Sequence, residues 1–181
     1  MRSMTRGVLL LWLSMVLPLA AQTPAGAGPE SNTTDPWAGL HFLEGTWLAK
    51  AQGAGGASAS GRYVFVRELG GHVLARHSTS DGNCKAPASF DCAHNDLLYV
   101  FEEGRGQPLQ AIYWDNEGHV IHYSISTPAP ETAVFLSEAG PGPQFRLTYE
   151  LKGAVMYGKF QMRMPGQDEW RSYLEWSGAK E

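Results

Sequence analysis

Cysteine and charge are scarce in this sequence, and no segment long enough for a core helix shows a helical period. Two cysteines in 181 residues are too few for a disulfide-dense miniature scaffold, and their spacing fits neither a zinc ribbon nor a zinc finger. Charged residues make up 18% of the chain and the net charge is −4. Nucleic acid is therefore excluded as a partner, because phosphate binding requires basic surface to release counterions. No apolar run reaches the roughly 20 residues that span a bilayer. Glycine (21) and proline (11) are plentiful but follow no period, which excludes a collagen-like rod. The Gly-x-Ser-x-Gly elbow, the phosphate-binding loop and the His-Glu-x-x-His pair are all missing. No residue is assigned a catalytic role.

What is present begins with an export signature. Arg2 and Arg6 precede the apolar run Val8–Leu13, continued by Met15-Val16-Leu17, and Pro18-Leu19-Ala20-Ala21 supplies a break and small residues. This three-part pattern predicts a signal peptide over residues 1–21, and hence a secreted or periplasmic protein with no stable membrane anchor after cleavage. Residues 22–36 lack large apolar side chains, so they cannot offset their ordering entropy and read as a disordered linker. In an oxidising compartment Cys84 and Cys92 are expected to pair. The competing metal reading, Cys84 and Cys92 with His94, has no recognised ligand spacing behind it.

From residue 45 onward the chain reads as ten short strands punctuated by turns such as Gly70-Gly71, Asp115-Asn116-Glu117-Gly118 and Lys152-Gly153. Alternation is clearest near the C-terminus. Phe145, Leu147, Tyr149 and Leu151 share one face, and Met156, Gly158, Phe160, Met162 and Met164 another. Trp170, Leu174 and Trp176 oppose Glu169, Arg171 and Glu175. A short helix is expected over 37–43, with Asp35 as N-cap and Pro36 in the first turn. Ten sequential strands joined by tight turns favour one all-β domain over residues 37–178. The expected form is a closed antiparallel up-and-down barrel, which leaves no exposed edges.

Leu43-Glu44-Gly45-Thr46-Trp47 resembles the Gly-x-Trp opening of lipocalin-like (calycin) barrels. Tyr63-Val64-Phe65 leading to Leu69-Gly70-Gly71, Tyr113-Trp114-Asp115 before a hairpin, and a closing strand ending near Trp176 are similar to a group of exported bacterial lipocalin-like proteins. The resemblance covers residues 37–177. It implies that Gly45 and Trp47 are structural, with Trp47 packed across the barrel floor against a basic residue of the last strand. Arg171 is the nearest match to that basic residue.

The function these observations favour is passive: a barrel holding a small, largely apolar molecule. The expected wall is Phe145, Tyr149, Phe160, Met162, Trp170 and Trp176, with His122 and Ser124 as polar contacts. Three alternatives stay open. Haem bound through a single histidine is implied by the resemblance to lipocalin-like barrels of the nitrobindin group; otherwise no cofactor is expected. An enzyme could use Asp115 with His119 or His122 as an acid–base pair. A barrel with a plugged interior could act through an apolar outer patch. The face shared by Met156, Met162 and Met164 with Phe160 reads as core filling, with a soft-metal site for Cu(I) as the sharper alternative. Oligomeric state is not encoded in any recognisable motif.

Overall fold

The structure, a computed structural model, describes residues 35–53, 56–85 and 92–181. The expected signal peptide (1–21) and all but the last two residues of the expected linker lie outside the described residues. Ten strands follow one another: β1 (Gly45–Gly53), β2 (Ser58–Glu68), β3 (Val73–Lys85), β4 (Asn95–Glu102), β5 (Leu109–Asp115), β6 (Val120–Ala129), β7 (Thr132–Ser137), β8 (Gln144–Lys152), β9 (Val155–Arg163) and β10 (Arg171–Lys180). Each pairs antiparallel with its sequence neighbour, and β1 pairs with β10 to close the barrel. That seam runs in unbroken register from Trp47 opposite Lys180 to Gly53 opposite Leu174. Closure satisfies both edge ladders that an open sheet would leave exposed.

The period-2 pattern sets which side chains fill the barrel. On β7 the residues Ala133, Phe135 and Ser137 are buried while their neighbours are half-exposed. On β8 Leu147 and Tyr149 are buried in the same way. A strand has only two faces, so Phe145 joins Leu147 on the inner one. Tyr149 is the hub of the core. Its ring contacts Phe65 (5.4 Å between centroids), Trp176 (5.6 Å), Tyr63 (6.1 Å) and Phe135 (6.1 Å), three of the four nearly edge-on. Edge-to-face geometry suits the aromatic quadrupole and adds to area burial. Gly158 makes this packing feasible, because a Cβ there would lie 1.9 Å from the Trp176 ring.

One end is closed by residues preceding β1. Ala38–Leu43 form a 3-10 helix that buries Leu40 and Leu43. The flanking Asp35 carboxylate accepts a hydrogen bond from the Trp37 amide at 2.9 Å, but no side chain caps the helix itself. The fully buried Trp47 donates its indole N–H to the Leu43 carbonyl at 2.9 Å, tying this floor to the first strand. The basic residue over Trp47 is Lys180, whose ammonium is 5.3 Å from the ring centroid. Arg171, the match expected from the sequence, is at the opposite end of β10, paired with Met162. The correction has a simple cause: β10 continues to residue 180, so its last basic side chain reaches the floor.

Candidate ligand-binding site

The inner wall changes character between floor and mouth. Deep residues such as Leu98, Val100, Phe135, Tyr149 and Met156 are fully buried. Toward the mouth, Phe145, Phe160, Met162, Leu174 and Trp176 are only half-buried. Register links them: Phe145 opposes Met162, Leu147 opposes Phe160, Phe160 opposes Leu174, and Trp176 opposes Gly158. Phe145 and Phe160 stack with centroids 5.5 Å apart and planes inclined by 12°. The deep interior is filled by buried side chains, and β8, β9 and β10 carry the half-buried apolar wall at the mouth end.

Beneath this wall lies a polar group that sequence reading missed. Arg76, on the inner face of β3 and only 5% exposed, donates hydrogen bonds to the Tyr149 hydroxyl and the Asp96 carboxylate. Burial works against both charges, but each is outweighed by the other's field. Asp96 is held below the usual carboxylate range, and Arg76 is raised above its ordinary value. Burial pushes the Tyr149 hydroxyl up to about 12. Three donors near Tyr149 are buried without a hydrogen-bond partner among the described residues: Arg76 Nε, the Tyr63 hydroxyl and Trp176 Nε1. Burial raises the Tyr63 hydroxyl strongly, against a smaller lowering by the Trp176 indole beside it. Leaving a buried donor unpaired costs about 1–3 kcal/mol.

A second polar cluster rims the mouth. His94, just after the disulfide, has Nδ1 2.9 Å from Glu117 Oε1 and Nε2 3.1 Å from the Tyr113 hydroxyl. Nε2 is also 3.4 Å from Asp96 Oδ2. Hydrogen bonding to Asp96 and Glu117 outweighs burial and raises the His94 pKa to about 9. Tyr113 donates to Asp115 Oδ2 at 3.1 Å, and His119 Nδ1 is 2.8 Å from the same oxygen. Burial would raise Asp115, but the His119 amide and ring together with Tyr113 bring it below its ordinary value. A cleft of about 440 Å³ between β3, β4 and β5 opens beside this cluster and includes Asp96, Asp115, Asn116 and Trp114 in its lining. Another, of about 460 Å³, lies between the 3-10 helix and the β6–β7 turn. Neither is lined by the aromatic wall residues.

Five of the eight expected contact residues fall on the inner face: Phe145, Tyr149, Phe160, Met162 and Trp176. The other three do not. His122 and Ser124 are exposed on the outer face of β6, because Tyr123 between them is buried inside. Trp170 precedes β10 and packs outside, with the guanidinium groups of Arg146 and Arg163 4.3 and 4.8 Å from its centroid. The acid–base pair reduces to Asp115 with His119, since His122 points away to solvent. Haem through one histidine has no ligand on the deep inner wall. His41, His77, His119 and His122 are accounted for on the floor, outer wall or rim, His72 lies in the β2–β3 turn, and His94 sits at the mouth. The disulfide is as expected: Cys84 and Cys92 are bonded.

No protein-family model matches the chain, and no curated protein matches it. Among solved structures it is similar to the crystal structure of Rv2717c from M. tuberculosis, over 81% of this chain and 97% of that one, with a TM-score of 0.55 at 14% identity. It is similar more distantly to EF1p2_mFAP2b bound to DFHBI, over 77% and 94% of the two chains, with a TM-score of 0.36 at 9% identity. At such identity the first likeness concerns the fold alone. What it supports is the fold, a closed ten-stranded antiparallel barrel.

Proposed function

We propose that the protein is an exported, non-catalytic binding protein for a small, largely apolar molecule carrying a hydrogen-bond acceptor. The apolar body rests against Phe145, Phe160, Met162 and Trp176 in the mouth half of the barrel. The acceptor reaches down toward Trp176 Nε1, the Tyr63 hydroxyl and Arg76 Nε. The observation that carries this reading is the set of three unpaired buried donors beneath a half-buried aromatic wall. Small-molecule sites generally combine apolar walls with a few convergent polar groups. Export draws on the residue 1–21 pattern and on the disulfide, which persists in oxidising compartments. Among the described residues no helix is long and apolar enough to cross a membrane.

Fluorescence titration with 1-anilinonaphthalene-8-sulfonate tests the reading, since that dye joins an aromatic body to an anionic acceptor. Saturable one-site binding to protein with native near-ultraviolet dichroism is expected, weakened by Phe160→Ala. Absence of saturable binding overturns it.

One observation favours a second reading. The outer faces of β2–β6 carry a band of exposed apolar side chains, with Val66, Leu97, Trp114 and Val120 between 37% and 54% exposed. Such bands mark interaction surfaces when contiguous. In this reading the barrel is a scaffold and that wall meets a protein partner. Full dye binding by Trp114→Glu, with loss of a co-purifying partner, separates the two.

A further inference from the structure

We propose that the mouth rim carries a divalent transition-metal site built from His94, Asp115 and Glu117, independent of the apolar wall on β8, β9 and β10. Each of the three offers one ligand atom, and those atoms lie within 4.8 Å of one another. An imidazole with two carboxylates is the mixed nitrogen and oxygen donor set that suits Zn²⁺ and its first-row neighbours, whereas Ca²⁺ and Mg²⁺ favour oxygen alone. Three protein ligands leave at least one coordination position for water.

The ligands come from two segments that the fold sews together. His94 follows Cys92, whose disulfide to Cys84 anchors it to β3. Ser80 holds the same stretch twice, its hydroxyl donating to the Cys92 carbonyl at 2.8 Å and its amide to the His94 carbonyl at 3.1 Å. Asp115 and Glu117 belong to the β5–β6 hairpin. That hairpin is tied to β4 by the Asn116 amide donating to the Asn95 carbonyl (3.1 Å) and the Asn95 amide to Asn116 Oδ1 (2.8 Å). Asp115 is further held by the His119 ring at 2.8 Å, the carboxylate–histidine contact that typically orients groups around a metal. Asp96 lies 3.4 Å from His94 but is paired with Arg76, so the carboxylates that converge with His94 on one point are Asp115 and Glu117. Their negative charge attracts a cation.

Calorimetric titration of the disulfide-bonded full chain with Zn²⁺ at pH 8 tests the site, with no affinity tag present. One ion per chain is expected. Glu117→Gln and His94→Gln are each expected to weaken binding by at least ~tenfold, the range seen when metal-site groups are removed. His72→Gln, in an exposed turn away from the rim, should leave it unchanged. Glu117 is exposed, so its variant does not threaten the fold. Two results overturn the proposal: no stoichiometric binding, or binding that Glu117→Gln leaves intact. Binding of the aromatic dye is expected to persist in Glu117→Gln, so failure of the metal site and failure of the proposed small-molecule site are read separately.

Discussion

Lys180 and Trp47 are register partners across the β1–β10 seam, and the Lys180 ammonium stands 5.3 Å over the indole. The last strand thus locks the first at the barrel floor. Lys180 is exposed, so its contribution is modest, about 0.5–1 kcal/mol for a cation over an aromatic face. Lys180→Met, measured by urea unfolding, is expected to lower stability by that amount. Gly45→Ala should lower it by more, since residue 45 sits at φ +120° and an added Cβ would come 2.7 Å from Lys180 Cε.

The disulfide staples β3 to the segment before β4 that presents His94. With a sequence separation of 8, loop closure predicts about 2.5 kcal/mol of stabilisation on the chain-entropy model. Cys84→Ser with Cys92→Ser should lower the unfolding free energy by roughly that much while leaving the ten-stranded barrel folded. Urea titration with far-ultraviolet dichroism measures both.

Arg76 and Asp96 form the buried ion pair of the interior. The native pKa of Asp96 lies below its ordinary 3.8 because Arg76 and His94 outweigh the burial that would raise it. A depressed carboxylate adds stability that is fully present above the unfolded value and is lost as pH falls through the native one. Asp96→Ala should therefore be destabilised by about 3–5 kcal/mol at pH 7 through the orphaned Arg76. Its stability should also fall less steeply than the parent's below pH 4. Arg76→Met with Asp96→Leu should recover much of the loss.

Tyr63 provides a test that separates fold from function. Its hydroxyl lies beside the Trp176 indole and makes no bond of good geometry, so Tyr63→Phe should leave unliganded stability little changed. Binding of an acceptor-bearing probe should weaken several-fold. Thermal unfolding with and without the probe reads both effects.

Much of this fold was legible because strand alternation is a local signal. Phe145-x-Leu147-x-Tyr149 and Met156-x-Gly158-x-Phe160 state their inner face without help from the rest of the chain. β6 does not: Val120-Ile121-His122-Tyr123-Ser124-Ile125 carries apolar residues at both parities, and only packing selects Ile121, Tyr123 and Ile125 for the interior. Trp170 was misplaced for a different reason. The β9–β10 register shifts between Ser172 and Leu174, so counting back by twos from Trp176 fails across that irregularity. Arg76 with Asp96, and His94 with Glu117, are brought together by the pairing of β3 with β4 and of β4 with β5, at separations of 20 and 23 residues. No motif spacing encodes such contacts.

The most direct test of ligand capture at the mouth is the indole N–H region of a ¹H–¹⁵N correlation spectrum during dye titration. Trp176 Nε1 is unpaired in the barrel interior, Trp47 Nε1 is bonded to the Leu43 carbonyl at the floor, and Trp114 and Trp170 lie outside. The Trp176 resonance should shift saturably while that of Trp47 stays fixed. A Trp176 resonance that never moves, or shifts confined to Trp114 and Trp170, contradicts the account.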